Sequence, residues 1–116
     1  MALIIKQRSV SDTVVVDLTG RLWILDLPLR DLMNRLLAGG QRHFVLNLAG
    51  VEYIDSSGLG QLVSIWSSIR NKGGHMTLLN PTQRVQRLFD ITRLDTVFEI
   101  FDREPDAVEK ANQASA

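Results

Sequence analysis

The sequence predicts an α/β fold: a single domain with a mixed, mostly parallel β-sheet and helices packed on it. Two observations predict this fold class. Short apolar runs rich in β-branched residues alternate with longer segments in which apolar residues recur at helical spacing, and the first two short runs follow one another with no helix between them. Such alternation packs helices against a sheet, and right-handed crossovers make the strands after the first helix parallel.

The elements are expected in the order β-β-α-β-α-β-α-β-α. Residues 2–8 and 13–18 flank a turn-like segment, so they predict an antiparallel hairpin. The first helix, at 26–40, is expected to begin at a capping Asp26 and to end at the glycine pair that closes the segment. The remaining elements are predicted as strands at 43–48, 75–79 and 96–101 and as helices at 57–71, 82–91 and 105–113.

Length and composition predict one globular domain. The 116 residues can bury about two-thirds of the surface that the unfolded chain exposes, which is enough for one core. We expect a domain over 1–116 with its core at about 3–110. Because the last predicted helix is weakly patterned, residues 111–116 are expected to form a flexible tail.

Charge and cysteine content exclude several classes of partner. The formal net charge is zero, so the chain lacks the positive field that nucleic acid or an anionic membrane surface requires. There is no cysteine, which excludes disulfides and thiolate metal sites and fits a cytoplasmic protein. The N-terminal apolar run is too short for a signal peptide, and no run is long enough to span a membrane.

The stretch "EYIDSSGLG" at 52–60 is the leading candidate for a functional site. It joins a predicted strand to a predicted helix, at the edge where open α/β sheets usually place their sites. One interpretation is structural, because serines cap helices and glycines permit close packing. A second is a serine that is itself modified.

Catalytic, nucleotide and metal interpretations fit the stretch poorly. A nucleophile elbow needs a glycine two residues before the serine, and neither serine here has one. His43 and His75 stand at the starts of strands, where neither can act as a base beside the serines. The third glycine of a dinucleotide fingerprint and a Walker motif are both absent. Glu52 and Asp55 are too few for a metal, so no cofactor is expected.

A phosphoserine at this position is physically permissible. Phosphate adds a charge of about −1.5 to −2 at neutral pH. At a helix N-terminus this charge is tolerated or stabilising by about 0.3–1 kcal/mol, so the fold itself should barely respond. In an interface beside Asp55 the same charge would be unpaired and repelled. A penalty of about 3–4 kcal/mol would weaken binding by a factor of hundreds to a thousand.

Three segments resemble the STAS family, and most closely its bacterial anti-sigma factor antagonists. They are "VVVDLTGRL", "LNLAGVEYIDSSGLGQLV" and "RVQRLFDITRLDTVFEIFD", and the likeness covers about residues 3–110. In that family the serine after the aspartate is phosphorylated by an anti-sigma factor that is also an ATP-dependent serine kinase. The resemblance implies Ser56 as that serine, with Ser57 as its neighbour. It also implies a switch rather than an enzyme, reset by a PP2C-type phosphatase.

The resemblance also implies a partner-binding surface around this serine. Asp55 would orient or assist the hydroxyl during phosphate transfer, although it could equally be a turn residue. The other residues carried over to the partner surface are Ser57, Gly58, Leu59 and Gly60. A monomer or weak dimer is expected.

One departure from the family pattern puts the usual kinase contact in doubt. After "LTG" these antagonists commonly carry two acids, and here Arg21 and Trp23 stand in their places. Trp23 could pack against the first helix or could serve as an apolar anchor for a different partner. The alternative function is a STAS interaction module that is never phosphorylated, in a stressosome-like assembly or a lipid-transport ATPase complex.

Three further expectations concern side chains outside the motif. In the helix after the motif, Trp66 is predicted in the core, on a stripe with Leu59, Leu62, Val63 and Ile69. Ile65 lies off that stripe, so it is predicted to be exposed and to contribute to the partner surface. Three arginines are expected to form a solvated face rather than a binding patch: Arg84, Arg87 and Arg93.

Overall fold

The computed structural model describes residues 3–23 and 27–113 and confirms the α/β fold class. One five-stranded sheet has the strand order β1-β2-β3-β4-β5. The strands are β1 (Ile4–Val10), β2 (Thr13–Leu22), β3 (His43–Ile54), β4 (His75–Leu79) and β5 (Glu99–Phe101). The helices are α1 (Leu27–Ala38), α2 (Ser56–Asn71), α3 (Gln83–Ile91) and α4 (Glu104–Asn112), with a 3₁₀ turn at Leu94–Thr96 before β5.

Strand pairing follows the predicted topology. β1 and β2 form an antiparallel hairpin, and the pairs β2–β3, β3–β4 and β4–β5 are all parallel. His43 and His75 pair as the first residues of β3 and β4, as the sequence predicts. The carboxyl ends of these two strands therefore lie at the edge of the sheet from which α2 and α3 start. We call this the carboxyl edge.

The two faces of the sheet are covered unequally, because side chains alternate across each strand. The front face, which carries Val14 and Val16, packs against α1, α2 and α3 in one large buried cluster. The back face carries Val15, Val45 and Leu79, which pack in a smaller cluster against α4. Among the described helices, none is both long and apolar enough to cross a membrane.

Several strand boundaries differ from the prediction. β1 spans Ile4–Val10 instead of residues 2–8, and β2 ends at Leu22 instead of residue 18. β3 ends at Ile54 instead of residue 48, because it continues to pair with β2 through Gly50, Val51 and Tyr53. Two register shifts, each with one extra residue in β3, accompany this longer pairing. β5 begins at Glu99 rather than residue 96, since the residues before it form the 3₁₀ turn.

In helix α2, the prediction that Ile65 is exposed is wrong. Ile65 was expected to be exposed, but only 3% of it is accessible, and it lies beside Leu62 and Ile69 in the front cluster. Leu62, Ile65 and Ile69 are spaced i, i+3 and i+7 and so share one helix face. Trp66 is half-buried at the margin of that cluster, where its ring meets Phe98 edge-on at a centroid distance of 6.4 Å.

The ends of α1 and α4 complete the comparison with the sequence. The predicted cap Asp26 lies outside the described residues. The prediction of a flexible tail at 111–116 is wrong for residues 111 and 112, since Ala111 is fully buried and α4 continues to Asn112. Residues 114–116 lie outside the described residues.

Candidate functional site

The serine stretch lies at the carboxyl edge, between β3 and α2. Asp55 is the N-cap of α2, and its carboxylate accepts a hydrogen bond from the Gly58 backbone N–H at 2.7 Å. The sequence suggested that a serine caps this helix, and the structure assigns the cap to the aspartate. Ser56 is the first helical residue and is exposed, whereas Ser57 is half-buried. The Ser56 hydroxyl makes no hydrogen bond to any residue that the structure describes.

Gly58 lets the end of β2 approach the first turn of α2. A Cβ at this buried position would lie 2.2 Å from the Leu22 carbonyl oxygen, which no side chain can tolerate without a backbone shift. The same oxygen accepts a hydrogen bond from the Asp55 N–H at 3.3 Å. The contact fixes where β2 ends relative to the serine.

Residues at the end of β2 and directly after it also lie at the site. The Gln61 Nε2 donates to the Trp23 carbonyl oxygen at 2.8 Å, and Gln61 is itself buried. Trp23 is half-buried. Arg21 pairs with Tyr53 of β3, and its guanidinium carbon lies 5.9 Å from the centre of the tyrosine ring. The structure therefore brings both departures from the family pattern to the edge that carries Ser56.

Leu59 and Gly60 have different environments within the same turn. Leu59 is half-buried and packs against the front cluster. Gly60 is exposed, and a Cβ built on it would meet nothing within 4 Å. Gly60 thus leaves the surface beside Ser56 without a side chain, whereas Leu59 anchors the helix.

Sequence reasoning missed Tyr53 and Gln61. The sequence predicts that β3 ends at residue 48, which places Tyr53 in a loop. Only the pairing of β3 with β2 places Tyr53 opposite Arg21. Gln61 is a buried polar residue that holds the Trp23 carbonyl across the site. A buried polar residue in the second turn of a helix is the signal that could have indicated such a contact.

The shifted pKa values lie elsewhere, on the back face. Arg8 donates to Asp17 at 2.8 Å and to Glu104 at 2.5 Å, and these hydrogen bonds hold the pKa of both carboxyls below their usual range. A hydrogen bond from the Asn47 side chain at 2.8 Å adds to the effect on Asp17. These groups connect β1 and β2 to the start of α4.

The two histidines lie at the opposite edge of the sheet from Ser56. The His43 Nδ1 is 2.8 Å from the Ala111 carbonyl oxygen, and the His75 Nε2 contacts the Glu99 carboxylate. Neither is placed to take a proton from Ser56. Within residues 3–23 and 27–113, no group of three His, Cys, Asp or Glu side chains is arranged to hold a metal ion.

Fold and motif together place the chain in a known family. The model of the STAS domain matches residues 6–107. The chain belongs to the STAS domain family, as the sequence motifs indicate.

Its relatives in this family include proteins named as anti-sigma factor antagonists. A Thermotoga maritima protein whose name assigns it to these antagonists is 33% identical over 91 residues, which are 78% of this chain and 74% of that protein. The anti-sigma-B factor antagonist of Bacillus subtilis is 42% identical over 53 residues, which are 46% of this chain and 49% of that protein.

Solved structures support the same assignment. The crystal structure of a Thermotoga maritima protein that is named as an anti-sigma factor antagonist has a TM-score of 0.85 at 31% identity. The match covers 93% of this chain and 94% of that one. The anti-sigma factor antagonist SpoIIAA in its unphosphorylated form has the same fold, with a TM-score of 0.77 at 21% identity over 95% of this chain and 97% of its own.

Proposed function

We propose that this protein is an anti-sigma factor antagonist controlled by phosphorylation of Ser56. Its unphosphorylated form binds an anti-sigma factor and so frees the sigma factor. The anti-sigma factor is also the serine kinase that modifies Ser56, and a PP2C-type phosphatase reverses the modification. The observation that carries this proposal is the exposed Ser56 hydroxyl, which starts α2 beside the capping Asp55.

The position of Ser56 suits a modification that leaves the fold intact. The first turn of a helix presents unpaired N–H groups and a partial positive charge, so a phosphate there is tolerated or slightly stabilising. Because the hydroxyl holds no described residue in place, its modification breaks no hydrogen bond of the fold. The effect of the phosphate is then exerted on a bound partner.

A docked partner would be expelled by the same phosphate. In the interface the phosphate would lie next to the Asp55 carboxylate and would lose its water. Asp55 has two roles in this proposal. Its Oδ1 fixes the first turn through Gly58, and its other carboxylate oxygen orients the Ser56 hydroxyl during transfer.

The partner surface that we propose surrounds Ser56. It comprises Arg21 from β2, Trp23 directly after β2, and Ser57 and Gly60 from α2. Gly58 and Leu59 support this surface from below, since the first is buried and the second packs against the core. A flat, side-chain-poor turn at Gly60 allows a kinase to approach the hydroxyl closely.

Phosphate transfer to the purified protein tests this function. The protein is incubated with ATP and each candidate anti-sigma factor kinase of its organism, and its intact mass is measured. We expect the mass gain of one phosphate, its loss in Ser56→Ala, and its retention in the matched control Ser57→Ala.

The binding arm of the same experiment tests the switch. Phosphorylation should weaken binding to the anti-sigma factor by at least about a hundred-fold, and Ser56→Asp by at least about ten-fold. If both forms bind their partner equally, the protein is a constitutive STAS interaction module instead. A thermal melt controls for folding, because the phosphorylated form should unfold within a few degrees of the unmodified one.

A further inference from the structure

An apolar groove of about 230 Å³ opens between the end of β3 and α3. The residues that line it include Tyr53 and Ile54 from β3 and Arg84, Arg87, Leu88 and Ile91 from α3. The groove adjoins the candidate site, since Ile54 directly precedes the cap of α2 and Tyr53 pairs with Arg21.

The groove exposes apolar side chains that a soluble domain normally covers. Ile91 is 73% exposed, more than any other large hydrophobic residue in the described part of the chain, and Tyr53 is 40% exposed. Tyrosine is enriched at protein interfaces because it offers a rigid apolar ring with a polar end. Ile91 and Tyr53 both line the groove, so the groove offers an apolar surface that the apolar side chains of a partner can contact.

Helix α3 directs its positive charge toward this groove. Arg84, Arg87, Leu88 and Ile91 follow the spacing i, i+3, i+4 and i+7, so they occupy one side of the helix. The other exposed side is uncharged or acidic. It carries Gln83, Gln86 and Asp90, and the last two are joined by a hydrogen bond of 2.8 Å.

The arginines at the groove have no acidic partner of their own. Arg84 and Arg87 are exposed and take part in none of the ion pairs formed within residues 3–23 and 27–113. Arg21 lies over the Tyr53 ring and places a third guanidinium at the same end. A guanidinium binds carboxylates with paired hydrogen bonds, so these side chains are suited to a partner that supplies acids.

We infer that this groove binds an acidic amphipathic segment of the anti-sigma factor. Its apolar side chains sit between Tyr53 and Ile91, and its carboxylates pair with Arg84 and Arg87. The inference rests on the proposed function for the identity of the partner, whereas the chemistry of the segment follows from the groove itself.

Two other occupants fit the groove less well. Nucleic acid requires a broad positive field, and the formal net charge of the chain is zero. A second copy docked about a two-fold axis through the groove would bring Arg84 and Arg87 against the same residues of the other chain, and the like charges would repel.

The groove also gives the phosphate a specific target. Ser56 follows Tyr53 by three residues at the same edge of the sheet. A dianion placed there repels an acidic segment in the groove but not a basic or neutral one. Binding to the groove is therefore expected to weaken when Ser56 carries a negative charge.

The test is an NMR titration of the full chain with three synthetic peptides of about 14 residues. The first has a Glu/Leu amphipathic pattern, the second replaces Glu by Lys, and the third replaces Leu by Ser. We expect the Glu/Leu peptide to shift the signals of Tyr53, Leu88 and Ile91 and to bind at least about ten-fold more tightly than either of the others. Equal binding of the Glu/Leu and Lys/Leu peptides, or shifts that avoid these residues, would overturn the inference.

Matched variants separate the groove from the rest of the surface. Arg84→Glu combined with Arg87→Glu should weaken binding of the Glu/Leu peptide by at least about ten-fold, whereas Gln83→Glu on the other side of α3 should leave it within about two-fold. Ile91→Ser should weaken it as well, and Ile4→Ser, at an exposed position of β1, should not. Backbone amide spectra verify that each variant is folded.

The outcomes for groove and switch are independent. The peptide titration needs no kinase, so a positive result supports the groove even if Ser56 is never phosphorylated. If the anti-sigma factor binds the double Arg84→Glu, Arg87→Glu variant as tightly as the unmodified chain, the inference is overturned while the proposed function stands. Dimerisation that Ile91→Ser abolishes would also overturn it, in favour of a second copy of this chain.

Discussion

Helices α2 and α4 start at the same edge of the sheet and cover opposite faces, but they are held in different ways. α2 buries Leu62, Ile65 and Ile69 in the front cluster and begins at a capping aspartate. α4 begins at Arg103 without any side-chain cap and packs a smaller apolar surface against the back face. The first turn of α2 leaves its serine unbonded, whereas α4 is bound to the sheet at both ends.

Polar contacts from the sheet hold α4 along its length. Arg8 binds Glu104 at its first residue, and the buried Thr77 hydroxyl donates to the Ala107 carbonyl oxygen at 2.9 Å. The Thr13 hydroxyl donates to the Asn112 side chain at 2.6 Å near its last residue. These hydrogen bonds occupy polar groups that would otherwise be free to bind a ligand or a partner.

The difference shows where a partner can act on this fold. A side chain that already holds the structure together cannot be modified or recruited without loss of stability. α4 consists largely of such groups, so we assign it a structural role. The start of α2 is held in place by Asp55 and Gly58, so the Ser56 side chain is left available.

The largest predicted effect on stability comes from adding a side chain where the start of α2 approaches the end of β2. Gly58→Ala places a Cβ 2.2 Å from the Leu22 carbonyl oxygen. The backbone must shift, so we expect a loss of about 3 kcal/mol in the free energy of unfolding, measured by urea denaturation.

Gly60→Ala is the matched control, two residues along the same helix. Its Cβ meets nothing within 4 Å, so we expect a gain in stability of up to about 1 kcal/mol from helix propensity. Equal losses in the two variants would show that a general need for backbone flexibility in this turn, rather than the contact with β2, sets the requirement for glycine at position 58.

The second prediction tests how α2 begins. Asp55→Ala removes the acceptor for the Gly58 N–H and should reduce the free energy of unfolding by about 1 kcal/mol. Asp55→Asn should keep stability within a few tenths of a kcal/mol of the original, because asparagine caps helices about as well as aspartate. Urea denaturation of both variants provides the measurement.

The asparagine variant also separates the two roles proposed for Asp55. If the carboxylate assists phosphate transfer, Asp55→Asn remains stable but accepts phosphate on Ser56 at least about ten-fold more slowly. Transfer at the original rate in this variant would restrict Asp55 to capping.

The order of the elements could be predicted from the sequence because each one depends on a local pattern. Periodicity indicated every helix, and the turn signals placed the serine stretch between a strand and a helix. The end of β3 could not be predicted in the same way. Ala49 and Gly50 interrupt the strand preference of the sequence, and the residues after them continue the strand because β2 pairs with them across two register shifts.

Tertiary packing also explains the error at Ile65. Apolar residues surround much of α2, so periodicity alone does not determine which side meets the sheet. The half-buried Val63 and Trp66 flank the face that Ile65 occupies. The contact between Arg21 and Tyr53 depends on the register between β2 and β3, so local sequence patterns could not predict it either.

The smallest predicted effect concerns the start of α4 and its pH dependence. Arg8→Ala removes the hydrogen bonds to Asp17 and Glu104 and should reduce the free energy of unfolding at neutral pH by about 1 kcal/mol, since these groups are partly exposed. In the folded protein Arg8 lowers the pKa of both carboxyls. Their contribution is therefore present above the pKa of the unfolded chain and is lost as the pH falls through the folded values.

The difference between Arg8→Ala and the original chain should consequently be largest at neutral pH and shrink as the pH falls below the usual carboxyl range. Urea denaturation at neutral pH and at about pH 3 measures it. Gln7→Ala, at the exposed neighbouring position of β1, is the control and should show no such pH dependence. A difference that persists in acid would mean that Arg8 holds α4 by packing of its alkyl stem rather than by charge. The start of α4 would then be held by apolar contact, as the buried face of α2 is.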